Sequence, residues 1–172
     1  MPTLAFSGGA AADRIADALG TPNVIGERAN VTAFVVRRFV DRGLLVDLSV
    51  NPDGTLHHPG QADQVCRRAD LAELVVADTP LGPEQAATRL RVRRVDFDHM
   101  VRLGSVRVPQ SVEARFGTSR AGTVDVPLYT TASVDAIPAA HPEVDWEQLR
   151  TVEKGRRSAL ASLRPEPAAA SA

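Results

Sequence analysis

The chain has one cysteine, Cys66, one lysine, Lys154, one tryptophan, Trp146, and only 4% aromatic residues in a length of 172. A lone cysteine excludes an internal disulfide and any metal site built on a cysteine pair, so stability has to come from packing. Scarce aromatics leave that packing to aliphatic side chains and alanine, within a hydrophobic fraction of 44%. No apolar run approaches the roughly 18 residues needed to cross a bilayer. The opening MPTLAFSGGAAADR has neither the basic leader nor the long apolar stretch of a secretion signal. These absences predict a cytoplasmic protein with no membrane partner. A net charge of -1 argues against a surface coated in basic charge that holds nucleic acid everywhere.

The charge is unevenly spread. From Leu81 to Gly122 there are eight arginines (89, 91, 93, 94, 102, 107, 115 and 120) against four acids, Glu84, Asp96, Asp98 and Glu113. From Ala10 to Ala62 five arginines face six acids. A polyanion partner is therefore expected mainly on the second half.

The chain also carries one pattern twice. VTAFVVRRFVDRGLL at 31–45 and VRRVDFDHMVRLGSV at 92–106 align without a gap at a shift of 61. Val31 falls on Val92, Val36 on Phe97, Phe39 on Met100, Val40 on Val101, Gly43 on Gly104 and Leu45 on Val106. A shorter helical pattern precedes each copy: DRIADAL at 13–19, with Ile15, Ala16 and Leu19 matching Ala86, Ala87 and Leu90 of PEQAATRL at 83–90. Pro83 suits a first helical turn and Glu84 its positive end. In the first copy the connection GTPNVIGERAN is longer by about ten residues.

After each glycine stop the spacing predicts a hairpin. In the first copy the arms are LLVDLSV and TLHH around the turn NPDG; in the second they are SVRVPQSVEAR and TVDVPLY around FGTSRAG. Short helical candidates follow: GQADQVCRR and ADLAELVVAD in the first copy, TASVDAI in the second. The organisation predicted is helix, turn, helix, hairpin, helix, twice.

EQAATRLRVRRVDFDHMVRLGSV resembles the excisionase and MerR-type winged helix-turn-helix family, and the whole chain resembles actinobacterial proteins with two such units. The resemblance covers about Asp13 to Ile137 and departs from the pattern at Arg91, where the tight turn commonly has glycine, and at the long first loop. The fold class expected is α+β: tandem winged helix-turn-helix units, mainly helical with short β-hairpin wings. The expected divisions are a less regular first unit at 1–78, a second unit at 79–140, a C-terminal helical extension at 141–164 and a flexible tail at 165–172.

In such a unit the second helix enters the DNA major groove and the wing touches backbone or minor groove. Helical spacing turns Val92, Phe97, Met100 and Val101 inward and leaves Arg93, Arg94, Asp98, His99 and Arg102 outward or along the rim. In the first unit Val36, Phe39 and Val40 turn inward and Thr32, Arg37 and Arg38 stay exposed. Arg93 and Arg94 are the base-reading candidates, because an arginine fork fits a guanine edge and the N-terminal part of a recognition helix goes deepest. Arg107, Arg115 and Arg120 are assigned to the second wing. Asp96 and Asp98 oppose phosphate unless they cap backbone groups, pair with arginine or accept from a cytosine amino group. Arginine runs are ordinarily solvated helix faces, so the charge pattern alone points away from DNA. Joined to the repeat and the wing, it points toward double-stranded DNA.

Other signals carry less. His57, His58, Asp63 and Cys66 offer metal donors at a spacing that fits no standard zinc site, and His57 and His58 are read as a hairpin end. Asp96 and His99 suit acid and base chemistry but point in different directions on a helix. SGG at 7–9 lacks a phosphate-loop lysine and is read as a flexible start to a helix. Trp146, Leu149, Val152, Leu160 and Leu163 recur at roughly helical spacing, interrupted at Gly155. Trp146 is expected to dock on the second unit, with a partner-binding helix as the alternative. KGRRS at 154–158 could add phosphate affinity or be a solvated loop.

The expectation is a non-enzymatic, sequence-selective DNA-binding protein without a cofactor, associated with the nucleoid as a transcription regulator or a recombination or DNA-maintenance accessory factor. The alternative is an adaptor whose helix-turn-helix units have lost nucleic-acid affinity and bind protein through the first unit or the C-terminal helix.

Overall fold

The computed structural model describes residues 5–50, 55–106, 110–115 and 123–163. The fold is α+β, and the chain divides into two compact units, Met1–Thr79 and Pro80–Ala172, each around its own apolar core. The first unit contains β1 (Phe6–Ser7), α1 (Gly8–Ala18), α2 (Ala33–Asp41), β2 (Leu56–His57), α3 (Pro59–Cys66) and α4 (Leu71–Asp78). The second contains β3 (Pro80–Leu81), α5 (Pro83–Leu90), α6 (Arg94–Leu103), β4 (Gln110–Arg115), β5 (Thr123–Thr130), α7 (Thr131–Ala140), α8 (Trp146–Thr151) and a 3-10 turn at Ala159–Ser162.

The helices start where side chains satisfy their free amides. The Ser7 hydroxyl accepts from the Ala10 N–H at 3.2 Å, so α1 begins at Gly8 and Ser7 is its cap. Residues 7–9 are thus the entry to a helix, as the sequence reading has them. The α5 helix opens with Pro83 in its first turn, and Gln85 reaches back to accept from the Gly82 N–H at 2.9 Å. Thr130 caps α7 through the Ser133 N–H, and Asp145 caps α8 through the Gln148 N–H at 2.8 Å.

The repeat carries through to packing. A shift of 61 takes the first residue of α2, Ala33, onto the first of α6, Arg94. It also pairs buried positions: Val31 with Val92, Val36 with Phe97, Phe39 with Met100 and Leu45 with Val106. Both helices stop at a glycine of positive φ, Gly43 at 72° and Gly104 at 81°, a conformation in which any other residue would be strained. Val40 and Val101 are only half-buried, each at the edge of its core. In each unit a short strand before the first helix pairs antiparallel with a strand that leads into a later helix. The registers are Phe6 with His57 in one unit and Pro80 with Thr130 in the other.

The hairpins differ. In the second unit β4 and β5 pair antiparallel from Gln110 opposite Leu128 to Arg115 opposite Thr123. The strand order is β3-β5-β4. Strand β3 reaches only Tyr129 and Thr130, which leaves Pro127 where β5 has a neighbour on one side. Tyr129 then meets Phe97 edge to face at 5.1 Å and seals the sheet onto α6.

In the first unit the expected arm at 44–50 is not a strand, and β2 pairs with β1 instead. The Asp47 carboxylate accepts the N–H of Ser49 at 2.9 Å and of Leu56 at 3.2 Å. These bonds, the one from Ser49 first, draw its pKa down to about 2. A side chain has taken amides that a ladder would have used. The turn NPDG at 51–54 lies outside the described residues.

The C-terminal segment belongs to the second core. Leu149 and Leu160 are buried in it and Trp146 packs against it, donating its indole N–H to the His141 carbonyl at 2.9 Å.

Candidate nucleic-acid interface

Helix α6 leaves α5 through a turn that only a left-handed residue can make. Arg91 has φ 58° and ψ 37°, and among the described residues it is the one non-glycine residue of positive φ. The conformation lets the Arg91 N–H reach the Thr88 carbonyl at 3.0 Å and the Val92 N–H reach Ala87 at 3.1 Å, closing α5. An L-residue there costs about 1 kcal/mol or more. The Arg91 side chain is exposed.

Arg93 precedes the first residue of α6 and does not face outward as the spacing suggested. Its guanidinium holds Asp96 with two hydrogen bonds, 2.7 Å through Nε and 2.9 Å through Nη2. Its Nη1 donates to the carbonyls of Glu153 at 3.1 Å and Arg156 at 2.8 Å. Only 19% of the side chain is exposed. Burial pushes the Asp96 carboxyl up, but hydrogen bonds from Arg93 and Ser158 outweigh this and hold it below its ordinary 3.8. The fork is therefore already occupied by protein acceptors, and Arg93 is withdrawn as a base-reading residue.

Arg94 is different. Its side chain is 43% exposed, paired through Nε with Asp98 one turn on at 2.8 Å and lying 3.6 Å from Glu84. Such exposed pairs are weak and exchange readily for other partners. Val95, on the same end of the helix, is 46% exposed. His99 is half-buried. Arg102 at the far end is exposed but donates to the carbonyls of Leu160 at 3.2 Å and Leu163 at 3.1 Å. Arg89, counted in the basic half, is held bidentate by Asp135 at 2.5 and 2.8 Å. Of the wing residues, Arg107 and Arg120 lie outside the described residues and Arg115 is the last residue of β4.

The four contacts from Arg93 and Arg102 bring a segment distant in sequence onto α6. It runs from Glu153 through the turn at Gly155, φ 90°, to the 3-10 turn and Leu163. Ser158 is buried beside Asp96 and caps the 3-10 turn through the Leu160 N–H at 3.2 Å. The segment presents Lys154, Arg156 and Arg157, all exposed, next to the start of α6. The docking of this segment on Arg93 could not be read from spacing, although KGRRS itself stands out in the sequence.

The first unit consumes most of its arginines internally. Asp78, 1% exposed, takes two hydrogen bonds from Arg42 at 2.7 and 2.9 Å, and Arg38 stands 3.7 Å away while also holding Asp41. Arg14 pairs with Asp63. Arg38 is thus half-buried rather than free, and the Thr32 hydroxyl is buried without capping α2. Arg37 is exposed.

The suggested metal donors are engaged elsewhere. His57 is fully buried with Nδ1 3.1 Å from the Val46 carbonyl, and His58 caps α3 through the Gly60 N–H. No three His, Cys, Asp or Glu side chains converge among the described residues. Asp96 and His99 do not share a polar site: Asp96 faces Arg93 under the C-terminal segment.

No helix among the described residues is long and apolar enough to cross a membrane. No family model, curated protein or solved structure matches the chain.

Proposed function

We propose that the protein binds double-stranded DNA sequence-selectively through its second unit, as a transcription regulator or an accessory factor in recombination or DNA maintenance. In this reading α5 and α6 form a helix-turn-helix, β4 and β5 its wing, and α6 enters the major groove by its N-terminal end. The observation that carries it is that Arg93 at the start of α6, flanked by exposed Arg91 and Arg94, holds the carbonyls of Glu153 and Arg156 and so anchors there the segment with exposed Lys154, Arg156 and Arg157. Such a cluster neutralises phosphates and releases counterions. Arg94 and Asp98 are the base-edge candidates, an arginine fork for guanine and a carboxylate for the cytosine amino group, and exposed Val95 suits a thymine methyl. Arg93 acts beneath the surface by fixing the basic loop in place.

The test is selection from a pool of random double-stranded DNA at near-physiological salt. Wild type should enrich a common sequence. Arg94→Ala should relax it at one or two positions, and the triple variant Lys154→Ala, Arg156→Ala, Arg157→Ala should bind all sequences more weakly. No enrichment and no salt-dependent retention by the folded protein would reject the proposal.

The adaptor reading draws on the first unit, where Ile25 and Val50 are fully exposed and Val24, Val46 and Leu48 about half exposed. It assigns protein binding to that unit and is compatible with DNA binding by the other. Protein capture that survives Arg94→Ala but fails with Ile25→Ser, in a chain without DNA affinity, would establish it alone.

A further inference from the structure

The second unit contains a cavity of about 250 Å³ between the C-terminal half of α6, the end of α7, α8 and the 3-10 turn. Four of its lining residues, Met100, Ile137, Leu149 and Leu160, are buried and apolar, and Trp146 forms part of the wall. Two of the polar groups nearby already have partners. The Trp146 N–H is on the His141 carbonyl, and the His141 imidazole lies 3.0 Å from Glu143 and 3.3 Å from the Ser105 carbonyl. The buried part of the lining therefore offers dispersion contacts and an aromatic wall.

The rim has a sign. Among the described residues, Glu143 and Asp145 are the carboxylates that line the cavity, both exposed, and no lysine or arginine lines it. Hydrogen bonds from its own backbone amide and from His141 keep the Glu143 carboxyl below its ordinary range, so it stays charged. An apolar cavity of about 150 Å³ accepts benzene, which scales to about ten non-hydrogen atoms here.

We infer that this cavity is a binding site for a small aromatic or alkyl ammonium ion, with the apolar body against Met100, Leu149 and Trp146 and the cationic head at Glu143 and Asp145. An anion of the same shape meets two carboxylates, and a neutral molecule gains nothing at the rim. The site is separate from the basic end of α6, and its occupancy does not depend on DNA binding.

Trp146 is the only tryptophan in the chain, so its fluorescence reports on the cavity alone. The full chain should be titrated with 2-phenylethylammonium, with 2-phenylethanol as the neutral counterpart and phenylacetate as the anion. The ammonium should give a saturable change in Trp146 emission and a rise in Tm. The alcohol should bind about three-fold or more weakly, and phenylacetate should not saturate. Glu143→Gln with Asp145→Asn, which keeps the α8 cap, should erase the preference for the ammonium. Ala159→Phe, placed to fill the cavity, should abolish the response while the chain stays folded. No saturable change with the ammonium, equal binding of phenylacetate, a preference for the ammonium that survives Glu143→Gln with Asp145→Asn, or a response that survives Ala159→Phe overturns the inference. Because this readout involves no DNA, its failure leaves the DNA-binding proposal standing, and the reverse holds too.

Discussion

Asp96 lies fully buried beneath the Arg93 guanidinium, joined to it by two hydrogen bonds of 2.7 and 2.9 Å. Removing one partner of such a pair leaves an uncompensated buried charge and two carbonyls, those of Glu153 and Arg156, without their donor. Arg93→Ala is expected to lower the stability of the second unit by about 3 kcal/mol, and Arg93→Lys to recover only part of it, because an ammonium cannot reproduce the fork. Urea unfolding checks both. A destabilisation within experimental error would show that the pair and the strand of chain it holds contribute nothing. Any loss of DNA affinity in Arg93→Ala has to be read against that stability change.

The same pair sets an acid dependence. The folded Asp96 carboxyl lies below its ordinary 3.8, so the folded state binds fewer protons than the unfolded one near that value. Its stabilisation is complete above the ordinary value and is lost as pH falls through the lower folded one. In Arg93→Ala burial remains, which favours the protonated acid, while the opposing guanidinium is gone. The acid-side loss of stability expected for wild type should shrink in that variant. Unfolding measured at pH 3, 4 and 6 decides it; parallel pH profiles for the two proteins would contradict the assignment.

Arg91 offers a separation of stability from function. Its left-handed backbone is one that glycine adopts freely, so Arg91→Gly should stabilise the second unit by roughly 0.5 to 1 kcal/mol. If the side chain holds phosphate, the same variant should bind DNA more weakly. A more stable protein with weaker binding supports a strained residue kept for its side chain. Unchanged affinity would remove Arg91 from the interface.

Much of the fold was legible because the repeat couples two independent signals, helical apolar spacing and a glycine stop, at one fixed shift. The buried set from Val31 to Leu45 and from Val92 to Val106 follows from them. The first hairpin was not legible, since Asp47 diverts two backbone amides by a side-chain bond that periodicity does not register. The fate of Arg93 depends on carbonyls 60 and 63 residues away. Half of that fate was nevertheless written in the repeat. Asp96 aligns with Val35, an inward position, and an inward carboxylate three residues after an arginine calls for that arginine as its partner.

In the first unit Arg42 and Asp78 tie α2 to the end of α4. Arg42→Ala should destabilise that unit by about 2 kcal/mol, less than a fully buried pair because Arg42 is partly exposed and Arg38 remains near. Hydrogen exchange should quicken in α2 and α4. Unchanged exchange there would mean that the pair is ornamental to the fold.

The basic loop makes a quantitative prediction about DNA. Each residue that neutralises a phosphate steepens the fall of log affinity with log salt by about 0.9. If Lys154, Arg156 and Arg157 all touch phosphate, the triple alanine variant should bind with a slope shallower by about 2.7 and an unchanged sequence preference. Arg94→Ala should do the opposite: a loss of roughly 1 to 3 kcal/mol on the preferred site, little on random DNA, and a slope changed by one unit at most. The contrast matters more than either number, because the loop belongs to a segment distant in sequence that Arg93 holds against the start of α6. A triple variant that alters sequence preference, with its slope unchanged, would move the loop from the phosphates to the bases. An Arg94→Ala variant that weakens every sequence alike would move Arg94 the other way. Equilibrium binding at four salt concentrations, on the selected site and on random DNA, separates these outcomes.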